Sequence, residues 1–185
     1  AKEVGLGEFE ACEIRREEPG DRAAVHGVNA RAFGRDGEAD LVDALRGQVE
    51  PAVSLVALRG GVVVGHVFFS PVRIEGEGAQ SRATALAPLA VLPEHQQHGI
   101  GSQLVRAGLD ACHSLGEDVV FVLGHAGYYP RFGFQPAGPL GLRYRDLSPD
   151  PSFMVTELSP GALHGRTGWV RYAEAFERVV GPPAG

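Results

Sequence analysis

The chain has 185 residues, 44% hydrophobic and 22% charged, with a formal net charge of −6 at neutral pH. That composition suits one soluble globular domain spanning 1–185, able to bury roughly 70% of its unfolded surface without a disulfide or metal. The acidic balance argues against a nucleic-acid partner, and no apolar run reaches the roughly 18 residues of a membrane span. The N-terminus, Ala1 to Gly5, lacks the basic and apolar regions of a secretory signal. Cys12 and Cys112, the only cysteines, read as reduced thiols, so the cytoplasm is the expected compartment. Lys2 is the sole lysine, which leaves a Schiff base or P-loop lysine without a candidate.

Ile14 suits a short first strand ended by Pro19-Gly20. Asp21 is a credible N-cap for a helix through Phe33, with Ala24, Val25, Val28 and Ala32 at helical spacing. A second, short helix follows from Glu38 to Leu45, with Leu41, Val42 and Leu45 inward. The runs 54–58, 62–74 and 83–91 read as strands, separated by turns at Arg59-Gly60-Gly61 and Gly76-Glu77-Gly78, hence an antiparallel meander. From Gly99 to Leu115 a helix carries the stripe Ile100, Leu104, Val105, Leu109, Cys112, Leu115, with Gly116 as its C-terminal cap. The run 119–123 is apolar enough for a strand buried on both faces, which makes strand, helix, strand a right-handed crossover with a parallel pair. A short helix over 128–132 leads at Gly133-Phe134 into another strand, and 136–151 reads as a Pro/Gly-rich loop. Closing strands are expected at 153–158 and 169–172, with a turn at Pro160-Gly161 between them. The fold class is α+β with a mixed sheet: a core of about 12–135, then a C-terminal loop and closing strands over 136–185.

The most informative stretch runs from Leu89 to Ser102, where a strand feeds a glycine-containing turn that opens a helix. Unpaired N–H groups and the helix dipole make such a site a phosphate cradle, and Gly99 and Gly101 carry no side chain to hold a phosphate away. The bland alternative is a tight turn whose glycines serve packing. A dinucleotide fingerprint fails because Leu104 stands where its third glycine is needed, and a Walker loop fails for want of lysine.

Gln96-Gln97-His98-Gly99-Ile100-Gly101 resembles motif A of the GNAT N-acetyltransferase superfamily, [RQ]-x-x-G-x-[GA]. Tyr129-Pro130-Arg131-Phe132-Gly133-Phe134 resembles its motif B, Y-x-[KR]-x-G-F. The resemblance implies an acetyl-CoA cosubstrate, held where the parallel strands 83–91 and 119–123 splay apart, and no metal. It implies that backbone amides of Gln97, His98, Gly99, Ile100, Gly101 and Ser102, in the loop opened by Gln96, hold the pyrophosphate. The backbone of Leu89, Ala90 and Val91 would pair with the pantetheine arm, and the Val91 N–H would polarise the thioester carbonyl. Tyr129 matches the tyrosine that protonates the departing thiolate, and as a member of motif B it is also placed against the cofactor. The implied activity is transfer of an acetyl group to the primary amine of a small molecule or peptide, with a CoA-binding sensor or scaffold of the same fold as the alternative. A homodimer is compatible with that reading.

Other residues carry less. Tyr129 taken alone fits an aromatic packed on the sheet, and Tyr128 fits packing or a channel wall. His95, His98, His113 and His125 are near enough in the expected fold for a metal cluster to be conceivable, although their spacing is unconvincing. His66, mid-strand, reads as a satisfied core histidine. A general base is required because aliphatic amines are mostly protonated at pH 7. Glu75, Glu77, Glu157 and His125 are the candidates, unranked. Many relatives carry an asparagine before motif B, but Asn29 is the only asparagine here, so that pantetheine contact is missing or taken by His125.

Overall fold

The computed structural model describes residues 12–180 apart from 51, 78 and 146–149; Ala1 to Gly5, Lys2 and the turn glycine Gly78 lie outside them. Strand β1 (Glu13–Arg16) leads through a single 3-10 turn into helix α1 (Arg22–Phe33), and α2 (Gly37–Leu45) follows. Asp21 holds the cap position but does not cap. Its carboxylate accepts from Arg15 (2.7 and 3.1 Å) and from the Glu18 N–H (2.8 Å), fastening the turn to β1 instead.

The meander is present as β2 (Val53–Arg59), β3 (Val62–Gly76) and β4 (Ala79–Val91), all antiparallel. Helix α3 (Ile100–Ser114) crosses over to β5 (Val119–Leu123), which pairs parallel with β4. The α3 stripe is buried as expected from Ile100 to Cys112, whereas Leu115 is 45% exposed because the helix has ended and the chain turns at Gly116, φ +83°.

The C-terminal third is richer than a loop and two strands. Two-residue strands β6 (Gln135–Pro136) and β7 (Leu142–Arg143) interrupt the expected loop, and a helix absent from the sequence reading, α4 (Glu174–Val180), follows the last strand. Strands β8 (Phe153–Glu157) and β9 (Gly168–Arg171) do not pair with each other. β8 lies antiparallel between β5 and β6, while β9 crosses to the far end of β3, matching Arg73 with Arg171. The order is β1-β2-β3-β4-β5-β8-β6, with β9 joining β3 and β7.

Helices cover both faces. A β-carbon on Gly65 would lie 3.0 Å from Leu104 and 3.2 Å from Ile100 of α3, whereas His66, next along β3, faces α1. His66 is fully buried and joins a polar chain. Asn29 Nδ2 donates to His66 Nδ1 (3.1 Å), so the ring carries its proton on Nε2 and donates to Ser54 Oγ (2.9 Å). The Ser54 hydroxyl donates to Glu17 (2.5 Å), which is paired with Arg46. Burial, helped by the Arg46 charge, pulls the His66 pKa down to about 3. This network ties α1 and the end of α2 to the sheet, fixing the segment between them.

Candidate active site

The parallel pair is zipped only at Thr84, Ala85 and Leu86, opposite Val120, Phe121 and Val122. Beyond Leu86 the strands part, and among the described residues β4 from Ala87 to Val91 keeps only β3 as a paired neighbour. The Leu92 N–H donates to Val64 on the β3 side (2.9 Å). Successive peptide groups face opposite edges of a strand, so the N–H and C=O of Val91 and Leu89 face the gap. Ala90 does not serve that edge as expected; its peptide faces β3 opposite His66. Gln96 Nε2 donates to the Val91 carbonyl (3.0 Å), bracing the edge from the motif A loop.

Next to this edge lies the start of α3. Gly99 holds the cap position at φ +80°, and no side chain caps the helix. The N–H groups of Gly99, Ile100, Gly101 and Ser102 thus keep no intrahelical partner, with no acidic residue in the first turn to compete for them. Gln97 is also held at φ +63°, and the 96–99 loop is exposed. A β-carbon on Gly101 would lie 3.1 Å from the Tyr128 hydroxyl and 3.8 Å from both Leu89 and Val91. Ser102 Oγ is 3.2 Å from that hydroxyl. The helix start, the β4 edge and motif B therefore meet at one place.

The gap opens into a cleft of about 580 Å³. One wall is Ala87, Pro88 and Leu89 of β4; the other is Leu123, Gly124 and His125 after β5, with Tyr128 and Tyr129 behind. Tyr129 is 8% exposed, its ring set edge-on to Phe134 at 5.7 Å and to Tyr128 at 5.1 Å. Gly124 makes room for it, since a β-carbon there would lie 2.4 Å from the ring. Burial, and secondarily Tyr128, pushes the Tyr129 hydroxyl well above the ordinary phenol range. His125 is an exposed member of the wall, and its carbonyl accepts from the Tyr128 N–H (3.0 Å).

The other candidate bases lie elsewhere. Glu75 is paired with Arg171 (2.9 Å), and Glu77 lines a separate hollow near β9. Glu157 accepts from the Gly161 and Leu163 N–H groups, which hold its carboxyl below the usual range. His95 approaches Arg59 (3.3 Å), and among the described residues no three His, Cys, Asp or Glu side chains are grouped to hold a metal. Sequence reasoning missed Glu38, whose buried carboxylate lines the cleft. The signal was there: Glu38, Leu41, Val42 and Leu45 are i, i+3, i+4 and i+7 on one helical face. It also missed α4, which supplies Phe176 and Val179 to the cleft.

Comparison with known proteins decides the family. The model of the acetyltransferase (GNAT) domain matches residues 13–137. The chain belongs to the GNAT acetyltransferase family. An uncharacterised N-acetyltransferase of Escherichia coli strain K12, YhbS, is 40% identical over 166 residues, 89% of this chain and 98% of its own length. The crystal structure of YhbS from Escherichia coli in complex with CoA superposes with a TM-score of 0.85 at 36% identity, covering 94% of this chain and 96% of that one. A GNAT acetyltransferase from Brucella melitensis in complex with acetyl-CoA gives a TM-score of 0.73 at 35% identity, covering 90% and 99%. The GNAT fold expected from motifs A and B is the fold observed. The described residues include no helix long and apolar enough to cross a membrane.

Proposed function

We propose that this GNAT protein moves an acetyl group from acetyl-CoA to a primary amine by direct attack. The observation that carries the reading is the open β4 edge lying against the uncapped, glycine-lined start of α3. Those residues fit the cosubstrate. The N–H groups from Gly99 to Ser102 suit a pyrophosphate, and the edge peptides of Leu89 and Val91 suit an amide-bearing pantetheine arm. The relatives with CoA and acetyl-CoA bound share this fold at 35% identity or more.

In this mechanism the Val91 N–H faces the gap and donates to the thioester oxygen as it gains charge. A preorganised donor of this kind contributes about 10²–10³ in rate. The neutral amine nitrogen bonds to the acyl carbon, and collapse of the tetrahedral intermediate breaks the carbon–sulfur bond. Tyr129 donates its proton to the departing sulfur. A buried phenolate is disfavoured by the same burial that raises the pKa of this hydroxyl, so the proton given up by nitrogen restores Tyr129 within the same collapse. His125, on the cleft wall, accepts the proton the ammonium must lose before attack. The products are an amide and the free thiol, with no net change in oxidation state. The test is thiol release from acetyl-CoA against a panel of amines. CoA binding without release on any amine would leave a CoA sensor as the reading.

A further inference from the structure

The chemistry of the acceptor can be taken further, resting on the transferase reading above. On the side away from α3, the cleft is bounded by Phe33, Leu41, Phe176 and Val179, all apolar. Phe33 is 41% exposed, a large apolar side chain turned to the opening rather than into the core. Set into this apolar end is one carboxylate, Glu38, which among the described residues is the only acidic one lining the cleft. Its side chain is 12% exposed, and it is held by the fork of Arg35, at 2.5 Å to Oε1 and 3.1 Å to Oε2. The two partners are unequal, because Arg35 is 65% exposed. An exposed i,i+3 pair contributes little, so water readily takes over the guanidinium, whereas a mostly buried carboxylate needs a cation or donor in its place.

We propose that Glu38 binds the ammonium of the acceptor in exchange for Arg35, and that the acceptor is a monoamine with an apolar body. A carboxylate offers about four lone-pair sites, enough to hold a three-proton ammonium while the cleft walls take an aryl or alkyl body. A polyamine or aminoglycoside fits poorly, since a second ammonium would face Phe33, Phe176 or Val179 with no second anion among the described lining residues to meet it. The network through Asn29, His66, Ser54, Glu17 and Arg46 holds α1 and α2 on the sheet, so the carboxylate is presented from a fixed scaffold.

Calorimetry of β-phenylethylamine and of spermidine binding to the CoA-saturated protein tests this independently of turnover. The parent should bind β-phenylethylamine more tightly than spermidine. Glu38→Gln should weaken β-phenylethylamine about 10–100-fold, the loss expected for a charge-assisted hydrogen bond, while CoA affinity is kept. Arg35→Ala, which removes the competitor, should tighten it. Stronger binding of spermidine, or Glu38→Gln and Arg35→Ala shifting affinity in the same direction, would overturn the proposal. Should Glu38→Gln fail to fold by circular dichroism, the sign of the Arg35→Ala shift decides alone. Amine binding of this pattern without thiol release would instead sink the transferase reading and leave the binding assignment standing.

Discussion

The two ends of β4 are built from similar residues and put to opposite uses. From Thr84 to Leu86 the strand is paired on both sides, by β3 and β5, and is buried on both faces. From Ala87 to Val91 it loses β5 and turns the peptides of Leu89 and Val91 to a gap. The register with β3 also shifts between the two ends, at the bulge between Val67 and Phe69. A strand can hold a domain together and still offer a binding edge, provided its neighbour diverges partway along. The zipped half should then govern stability and the open half chemistry.

Four substitutions or conditions test that division. The largest effect is expected from Tyr129→Phe, which keeps the ring and its contacts with Phe134 and Gly124 but removes the donor. Turnover should fall by about 10²–10⁴ with melting temperature and CoA affinity little changed, and Tyr128→Phe should cost far less. Equal loss in both would place the proton donor elsewhere. Phe121→Ala, at the zipped end, removes a fully buried ring stacked on Phe153 at 5.4 Å. Denaturant titration should show a loss of about 3–5 kcal/mol, while KM for acetyl-CoA stays that of the parent wherever the variant is folded. Gly101→Val pushes a side chain toward Tyr128, Leu89 and Val91, and CoA affinity should drop about tenfold or more in calorimetry with the circular dichroism unchanged. The mildest test is acid titration of stability. His66 folds neutral with its pKa near 3, against 6.5 ordinarily, so below 6.5 the unfolded chain takes up a proton that the folded one refuses. The stability this provides is complete above pH 6.5 and is lost as pH falls toward 3. His66→Gln should flatten that slope, and an unchanged slope would mean that other groups set it.

Much of this was legible in the residues. The crossover from β4 through α3 to β5 follows from a 3.6-residue stripe beginning at Ile100 and an apolar run at 119–123, because local periodicity and burial agree there. Motifs A and B lie at backbone turns that glycine demands, so they survive in a single sequence as readable spacing. The rest depended on contacts far apart in the chain. The destination of β9 could not be read from Trp169 to Arg171, since strand patterning records which face is buried and not which neighbour is paired. Helix α4 was missed because seven residues carry just under two turns of periodicity, and its aromatic Phe176 acquires meaning only beside Tyr144 and Tyr172. Glu38 was passed over as a polar residue on a short helix, although its phase put it with the core.

The return of the C-terminal segment has a bearing on solubility. The match to the GNAT family model stops at Ala137, yet β8 covers the outer edge of β5 and β9 covers the edge of β3 beyond β2. Without them, the Val/Phe-rich β5 and the Arg73-Ile74-Glu75 end of β3 would present rows of unpaired N–H and C=O groups, the template on which chains add to one another. A chain cut at Ala137 should still carry both motifs and should aggregate. The segment that lies outside the family model is the one that closes the sheet.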